Sequence, residues 1–368
     1  MIQFKKSSKF SIMVIGLFFM LAYTLSGQVK GDNPFNNIKL NLFLSAAYEY
    51  NFNNPSDMKN SLRIFDYDHN SFKMDEMQIS IHQDSDKDTP YGFRSDILAG
   101  SSIPKIVRSA GMDSGDIDIL QMYAYYIIPL GNGLRIDFGK FATHLGFEVV
   151  EGWDNYNYNY SRSFGFGYSV PFTHTGMKLS YSFGESASLM LMVVNGWDNA
   201  VDNNKSKSAG GQLFISPFEG LNIYANYLTG PEQDNNNSNY RSIYDLAASY
   251  TTGRLFIGVG SNYATEDFSS PNSFRANWSS IAGYIKFNFS TLFSLAVRGE
   301  IFSDTDGVRT GIIQELREIT VTPCLNLSDH FLVRGEWRYD TSGKDVFTYE
   351  NRLSDFQSTA ALNFIYHF

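Results

Sequence analysis

The stretch Phe331-Leu332-Val333-Arg334-Gly335-Glu336-Trp337-Arg338-Tyr339-Asp340 alternates from Val333 to its end. In an extended chain Phe331, Val333, Gly335, Trp337 and Tyr339 lie on one face, and Arg334, Glu336, Arg338 and Asp340 on the other. A packed sandwich could hold four successive inward charges only by burying them, at several kcal/mol for each one left unpaired. The water-filled interior of a transmembrane barrel holds them freely, while the opposite apolar face suits lipid. This stretch therefore selects a barrel over a sandwich.

The same two-residue period recurs at both ends of the chain. Leu40, Leu42, Leu44, Ala46, Tyr48 and Tyr50 alternate with Asn41, Ser45 and Glu49. At the far end Ala360, Leu362, Phe364, Tyr366 and the terminal Phe368 share one face, against Ala361, Asn363, Ile365 and His367. Reading the alternation throughout places strands near 38–50, 72–83, 91–100, 116–128, 134–141, 171–183, 187–197 and 207–216. The second half continues near 220–229, 241–252, 254–264, 276–289, 292–303, 314–327, 330–341 and 355–368. The expected fold is all-β, an antiparallel up-and-down transmembrane barrel of sixteen strands with both ends at the periplasmic rim. The tight connections at 84–90, 129–133, 184–186, 217–219, 253, 290–291 and 328–329 then share one side, and the long polar loops share the other.

Composition agrees. The 368 residues include 31 Phe, 23 Tyr and 4 Trp, yet mean hydropathy is −0.23. No apolar run after residue 25 is long enough for a membrane helix. Residues 1–27 carry Lys5, Lys6 and Lys9, then the apolar stretch Phe10 to Leu25, then Ser26 and Gly27, the order of a cleaved signal peptide. Residues 28–368 would then form one outer-membrane barrel domain of a Gram-negative cell. Loss of the three lysines makes the formal charge of −9 more negative still, which excludes a nucleic-acid partner. The single Cys324 excludes a disulfide framework and a Cys-rich zinc site.

The loop from Ala142 to Val170 is the third on the extracellular side and the candidate constriction, folded inward. Its candidate residues are Glu148, Glu151, Asp154 and Arg162 with Tyr156, Tyr158 and Tyr160. Acids and an arginine across a narrow, partly dehydrated passage would filter solutes by charge. The inward parity of the strands supplies candidate lumen charges: Arg94, Arg135, Lys178, Lys286, Arg298, Glu300, Arg334, Glu336, Arg338 and Asp340. Most are expected to brace the wall by pairing across neighbouring strands. Arg298, Arg334 and Arg338 could instead form a cationic track opposite the acidic loop. Gly-Trp-Asp-Asn occurs at 152–155 and again at 196–199. Both copies are read as loop packing at the extracellular rim, with sugar stacking the sharper alternative.

The runs GKFATHLG at 139–146 with Glu148, NYNYSRS at 157–163, PFTHTG at 171–176 and NGWDN at 195–199 resemble the OmpL-like β-barrel porin family. That family is related to the phosphate-selective porin O and P group. The resemblance covers most of the mature chain. It implies an outer-membrane barrel through which small solutes diffuse, without naming a substrate. The arginine ladder and lysine cluster associated with phosphate selectivity are not present as continuous runs.

The expected function is passive diffusion of small hydrophilic solutes or ions through a water-filled, charge-lined lumen narrowed by the loop 142–170. Two alternatives stand beside it: a channel specific for an anion or oligosaccharide, and a plugged barrel acting as adhesin or structural protein. Expected partners are outer-membrane lipid and the barrel assembly machinery, which would read the strand ending at Phe368. A homotrimer fits the apolar outer faces, although no strand is singled out as its interface. Catalysis is not expected, because the six histidines are scattered and neither Gly-x-Ser-x-Gly nor His-Glu-x-x-His occurs. No cofactor or metal is called for. The acidic groups Asp84, Asp86 and Asp88, and Asp304 and Asp306, lack the rest of an EF-hand loop.

Overall fold

Strands can cross a bilayer only when every backbone group finds a partner, so the last strand must return to the first. Here it does. The computed structural model describes residues 37–102, 117–269 and 273–368, and the signal-peptide reading of residues 1–27 lies outside them. The first eight strands are β1 (Ile38–Asn51), β2 (Ser71–Gln83), β3 (Tyr91–Ala99), β4 (Ile117–Ile128), β5 (Leu134–Ala142), β6 (Thr173–Ser182), β7 (Ala187–Val194) and β8 (Ser208–Ile215). They are followed by β9 (Leu221–Pro231), β10 (Tyr240–Thr252), β11 (Leu255–Phe268), β12 (Phe274–Asn288), β13 (Phe293–Asp304), β14 (Gln314–Asn326) and β15 (Phe331–Ser342). A small hairpin, β16 (Phe347–Tyr349) with β17 (Arg352–Ser354), precedes β18 (Phe356–His367).

Strands β1 to β15 pair in chain order, and β18 pairs with both β15 and β1, which closes a sixteen-stranded antiparallel barrel. Phe368 and Leu42 exchange backbone hydrogen bonds of 3.0 Å in each direction across the seam. The predicted parity holds: on β15 Leu332, Arg334, Glu336, Arg338 and Asp340 are buried, whereas Trp337 on the other face is exposed. Exposed apolar residues such as Leu189, Leu191 and Val193 of β7 cover the outside. Aromatic pairs at the short-turn rim, Tyr181–Phe183 at 5.1 Å and Phe287–Phe289 at 4.9 Å between ring centroids, form part of a girdle.

Two details depart from the alternation. Strand β7 stops at Val194 rather than 197, because Gly196 (φ 130°) and Asp198 (φ 61°) turn the chain. The Asp198 carboxylate then accepts hydrogen bonds from the backbone N–H groups of Phe172 and Thr173, at 2.6 and 2.8 Å, and so fixes the start of β6. The hairpin β16–β17 was not foreseen, since three-residue strands carry too few positions to show a period.

Candidate functional site

The loop 143–172 leaves the long-loop end of β5 without a strand ladder of its own, so its backbone needs acceptors and donors from elsewhere. The inward charges of β13, β14 and β15 supply them. Glu336 accepts from the N–H groups of Tyr160 and Ser161 at 2.6 and 2.9 Å. Glu300 accepts from those of Phe164 and Gly165, both at 2.6 Å. Arg338 donates to the Arg162 carbonyl at 2.5 Å and to Asp340 at 2.7 Å. A Cβ at Gly165 would lie 2.8 Å from a Glu300 oxygen, so this close approach needs glycine.

Two ion pairs add to these bonds. Glu148 meets Arg298 at 2.6 Å, and Arg298 also donates to Glu318 at 2.6 Å and to the Ser161 carbonyl at 2.7 Å. Glu151 takes both guanidinium nitrogens of Arg334 at 2.8 and 3.1 Å, with Arg162 at 3.4 Å. Burial alone would raise the Glu151 carboxyl, but Arg162 and Arg334 hold it below its ordinary value. Tyr160 donates from its hydroxyl to Asp75 at 3.0 Å.

The tip of the loop reaches the wall on either side of these strands. Asp154 pairs with Arg94 of β3 at 2.5 Å, and the Trp153 ring lies 5.2 Å from His82 of β2. Tyr156 lies 5.4 Å from His367 of β18, and Tyr158 lies 4.9 Å from Phe256 of β11. These partners sit toward the short-turn ends of their strands. The first Gly-Trp-Asp-Asn copy therefore lies inside the barrel and not at the extracellular rim, because its loop carries it down. The second copy stays at the rim, with Trp197 buried edge-on against Trp278 at 6.4 Å.

The lumen is not water-lined along its whole length, and that expectation is corrected. Near the long-loop end an apolar layer fills the interior, in which Phe65 of the first loop packs on Phe166 and Phe172 at 5.9 and 5.6 Å. Phe141, Met192, Trp278, Phe302 and Leu316 join it from the strands. Arg63, beside Phe65, bonds Asp66 and reaches Asp340 at 2.6 Å. Sequence reasoning passed over this first loop, although Leu62, Ile64 and Phe65 are an apolar signal inside a polar segment.

The ten candidate lumen charges divide into two groups. Arg298, Glu300, Arg334, Glu336, Arg338 and Asp340 are buried and engage the loops or each other. They leave no cationic track facing water. Arg94, Arg135, Lys178 and Lys286 stay partly exposed. Arg94 and Arg135 pair with Asp96 and Asp137 at 2.8 and 2.6 Å. Lys178 and Lys286 rest over aromatic rings, 4.6 Å from the Phe141 centroid and 4.3 Å from that of Tyr158. Between the loop and the wall lies a cavity of about 640 Å³, lined among others by Lys178, Tyr158, Tyr284, Phe147 and Asn226. Phe147 stacks on Tyr284 at 4.2 Å and occupies the space that a Cβ of Gly258 or Gly260 would need.

At the extracellular rim Glu232 accepts from Trp197 N–H and the Ser208 hydroxyl at 2.7 and 2.6 Å. Burial raises its carboxyl to about 7. Arg309 lies 5.0 Å from the Trp278 ring centroid, and burial lowers it to about 10.

The sequence model of the family described as "Putative beta-barrel porin-2, OmpL-like" matches residues 37–368. No curated protein matches. Among solved structures, the chain is similar to an anion-selective porin from Comamonas acidovorans, with a TM-score of 0.63 and 10% identity over 90% of this chain and 99% of that one. The outer membrane channel DcaP of Acinetobacter baumannii gives 0.61 and 8%, over 90% and 97%. Salmonella typhi OmpF gives 0.59 and 12%, over 90% and 97%. At these identities the likeness speaks for the fold, a porin barrel. The family match, which spans nearly every described residue, goes further: the chain belongs to the OmpL-like beta-barrel porin-2 family.

Proposed function

We propose that the protein is an outer-membrane channel for passive diffusion of small hydrophilic solutes, and that the loop 143–172 sets its aperture. The observation that carries this reading is the loop's attachment across the lumen, through Glu148–Arg298 and Glu151–Arg334, beside a cavity of about 640 Å³. Solutes travel along the cavity side, where the exposed polar groups of the wall keep water in contact with them and remove the dielectric barrier of the bilayer. The apolar layer above the cavity limits this path to small solutes and to small conductance. Glu148, Glu151, Asp154, Arg162, Tyr156, Tyr158 and Tyr160 act as the constriction: the first two and Arg162 hold the loop, Tyr160 ties it to Asp75, Tyr158 faces the path, and Tyr156 and Asp154 fix the tip against the wall.

The chain is exported on a signal peptide at 1–27. Its last strand, ending in Phe368, addresses it to the barrel assembly machinery, in keeping with the seam that Phe368 closes against Leu42. A homotrimer through the apolar outer faces is the proposed assembly. The apolar layer also favours a second reading, a plugged barrel whose exposed loops do the work. Planar-bilayer recording of the refolded chain in KCl separates the two. Discrete ohmic steps, smaller than those of an open barrel with the same strand number, support the channel. No steps from correctly folded protein would overturn it in favour of the plugged barrel.

A further inference from the structure

The cavity carries more chemistry than a pore wall requires. Lys178 stands opposite Asp137 in the β5–β6 register, yet Asp137 is engaged by Arg135 at 2.6 and 2.9 Å. Two cations therefore share one carboxylate, and among the described residues Lys178 makes no salt bridge and no side-chain hydrogen bond. Of the other carboxylates near the cavity, Glu148 meets a cation, whereas Asp245 meets a neutral amide and keeps one oxygen without a partner. Glu148 is bound to Arg298 and the Ser163 hydroxyl, and Asp245 to Asn226 at 2.6 Å. Among the described residues that line this space, Lys178 is the ammonium without an ion-pair partner, and a second such ammonium, Lys286, lies 4.3 Å from the Tyr158 ring centroid.

The rest of the lining is hydroxyl and ring. Ser180 lies two residues from Lys178 on β6, and Ser188 of β7 and Ser249 of β10 line the same cavity. Among the described residues none of these three hydroxyls has a protein hydrogen-bond partner. The same lining includes the stacked pair Phe147–Tyr284 and the edge-on pair Tyr158–Phe256, centroids 4.2 and 4.9 Å apart. Aromatic faces hold the apolar faces of sugar rings, free hydroxyls exchange hydrogen bonds with a polyol, and one ammonium matches one carboxylate. A phosphate dianion, stripped of water, would call for several donors in a fixed fork, which ammonium groups on flexible stems do not offer.

We infer that the cavity is a binding site for a small sugar acid, with its carboxylate on Lys178 and its ring on the Phe147–Tyr284 and Tyr158–Phe256 faces. The inference rests on the reading of the cavity as part of the solute path. Its test is isothermal titration of the refolded full chain in detergent with glucuronate, glucose, acetate and inorganic phosphate. This readout does not depend on conductance, so a chain that binds glucuronate without conducting would sink the channel reading and leave the site standing. Glucuronate is expected to bind about tenfold more tightly than glucose or acetate, the usual worth of one hydrogen bond to a charged group. Lys178→Gln should erase the advantage over glucose, and Lys178→Arg should keep most of it. Equal affinity for glucuronate and glucose, an unchanged advantage in Lys178→Gln, or tighter binding of phosphate than of glucuronate would each overturn the assignment.

Discussion

Glu151 of the third loop grips Arg334 of β15 with both carboxylate oxygens, at 2.8 and 3.1 Å, in a place where neither side chain meets water. The pair ties an irregular segment to a strand far along the chain, and the same strand offers Glu336 to the loop's backbone N–H groups. The charged inner face of the barrel thus serves as the hydrogen-bond partner of a folded-in loop.

Removing one partner of that pair leaves a buried charge without its counter-ion. Glu151→Gln is expected to lower stability by about 3 kcal/mol, in line with other broken buried pairs. The double variant Glu151→Gln with Arg334→Gln should recover part of the loss. Thermal unfolding in detergent, followed by circular dichroism, measures both. A double variant that loses the full sum of the losses of Glu151→Gln and Arg334→Gln measured singly would show that the two residues are not coupled.

Cys324, the chain's one thiol, is half-buried beside Tyr156 and opposite Arg334 in register. With the loop in place a methanethiosulfonate reagent should label it slowly. Labelling should quicken at least about tenfold in Glu151→Gln, if the loop moves away as one cooperative unit of low local stability. An unchanged rate would mean that this pair does not hold the loop over the thiol.

Gly165 offers a steric test. Gly165→Ala places a methyl group against Glu300, and a loss of about 2 kcal/mol is expected from overpacking. Gly283→Ala is the control, since nothing lies within 4 Å of its added Cβ. Comparison of the two midpoints in a urea titration decides: equal midpoints would remove the close-approach argument.

Glu232 links the rim to pH. Its folded pKa of about 7 lies above the ordinary 4.5, so its stabilising contribution is complete below pH 4.5 and is lost as pH rises through 7. Glu232→Gln cannot ionise and escapes that loss. The Tm of the variant minus that of the parent should therefore increase between pH 4.5 and pH 7.5. A difference that stays flat, or that falls, would contradict a half-buried, reluctantly ionised Glu232.

The strands were legible because lipid outside and polar groups inside impose a period of two on every crossing. Strand β15 shows it most plainly, and the closure of β18 on β1 follows from an even strand count. The members of the loop's attachment were legible as types, acids at 148 and 151 facing a basic wall. Their pairing was not, because Glu148–Arg298 and Glu151–Arg334 join positions that only the closed barrel brings together. The apolar layer was hidden for another reason. Phe141, Trp278, Phe302 and Leu316 sit one to a strand, and a single apolar residue on an inward face does not disturb the alternation. Phe65 and the first loop complete the layer, and only their inward placement gives that run a role.

The central claim is that the loop 143–172, held by Glu148 and Glu151, sets the aperture. Single-channel recording of the parent and of the double variant Glu148→Gln with Glu151→Gln tests it most directly, in the same lipid and salt. The account predicts small steps for the parent and steps several-fold larger for the variant. Identical conductance in the two, with both proteins folded, would contradict it.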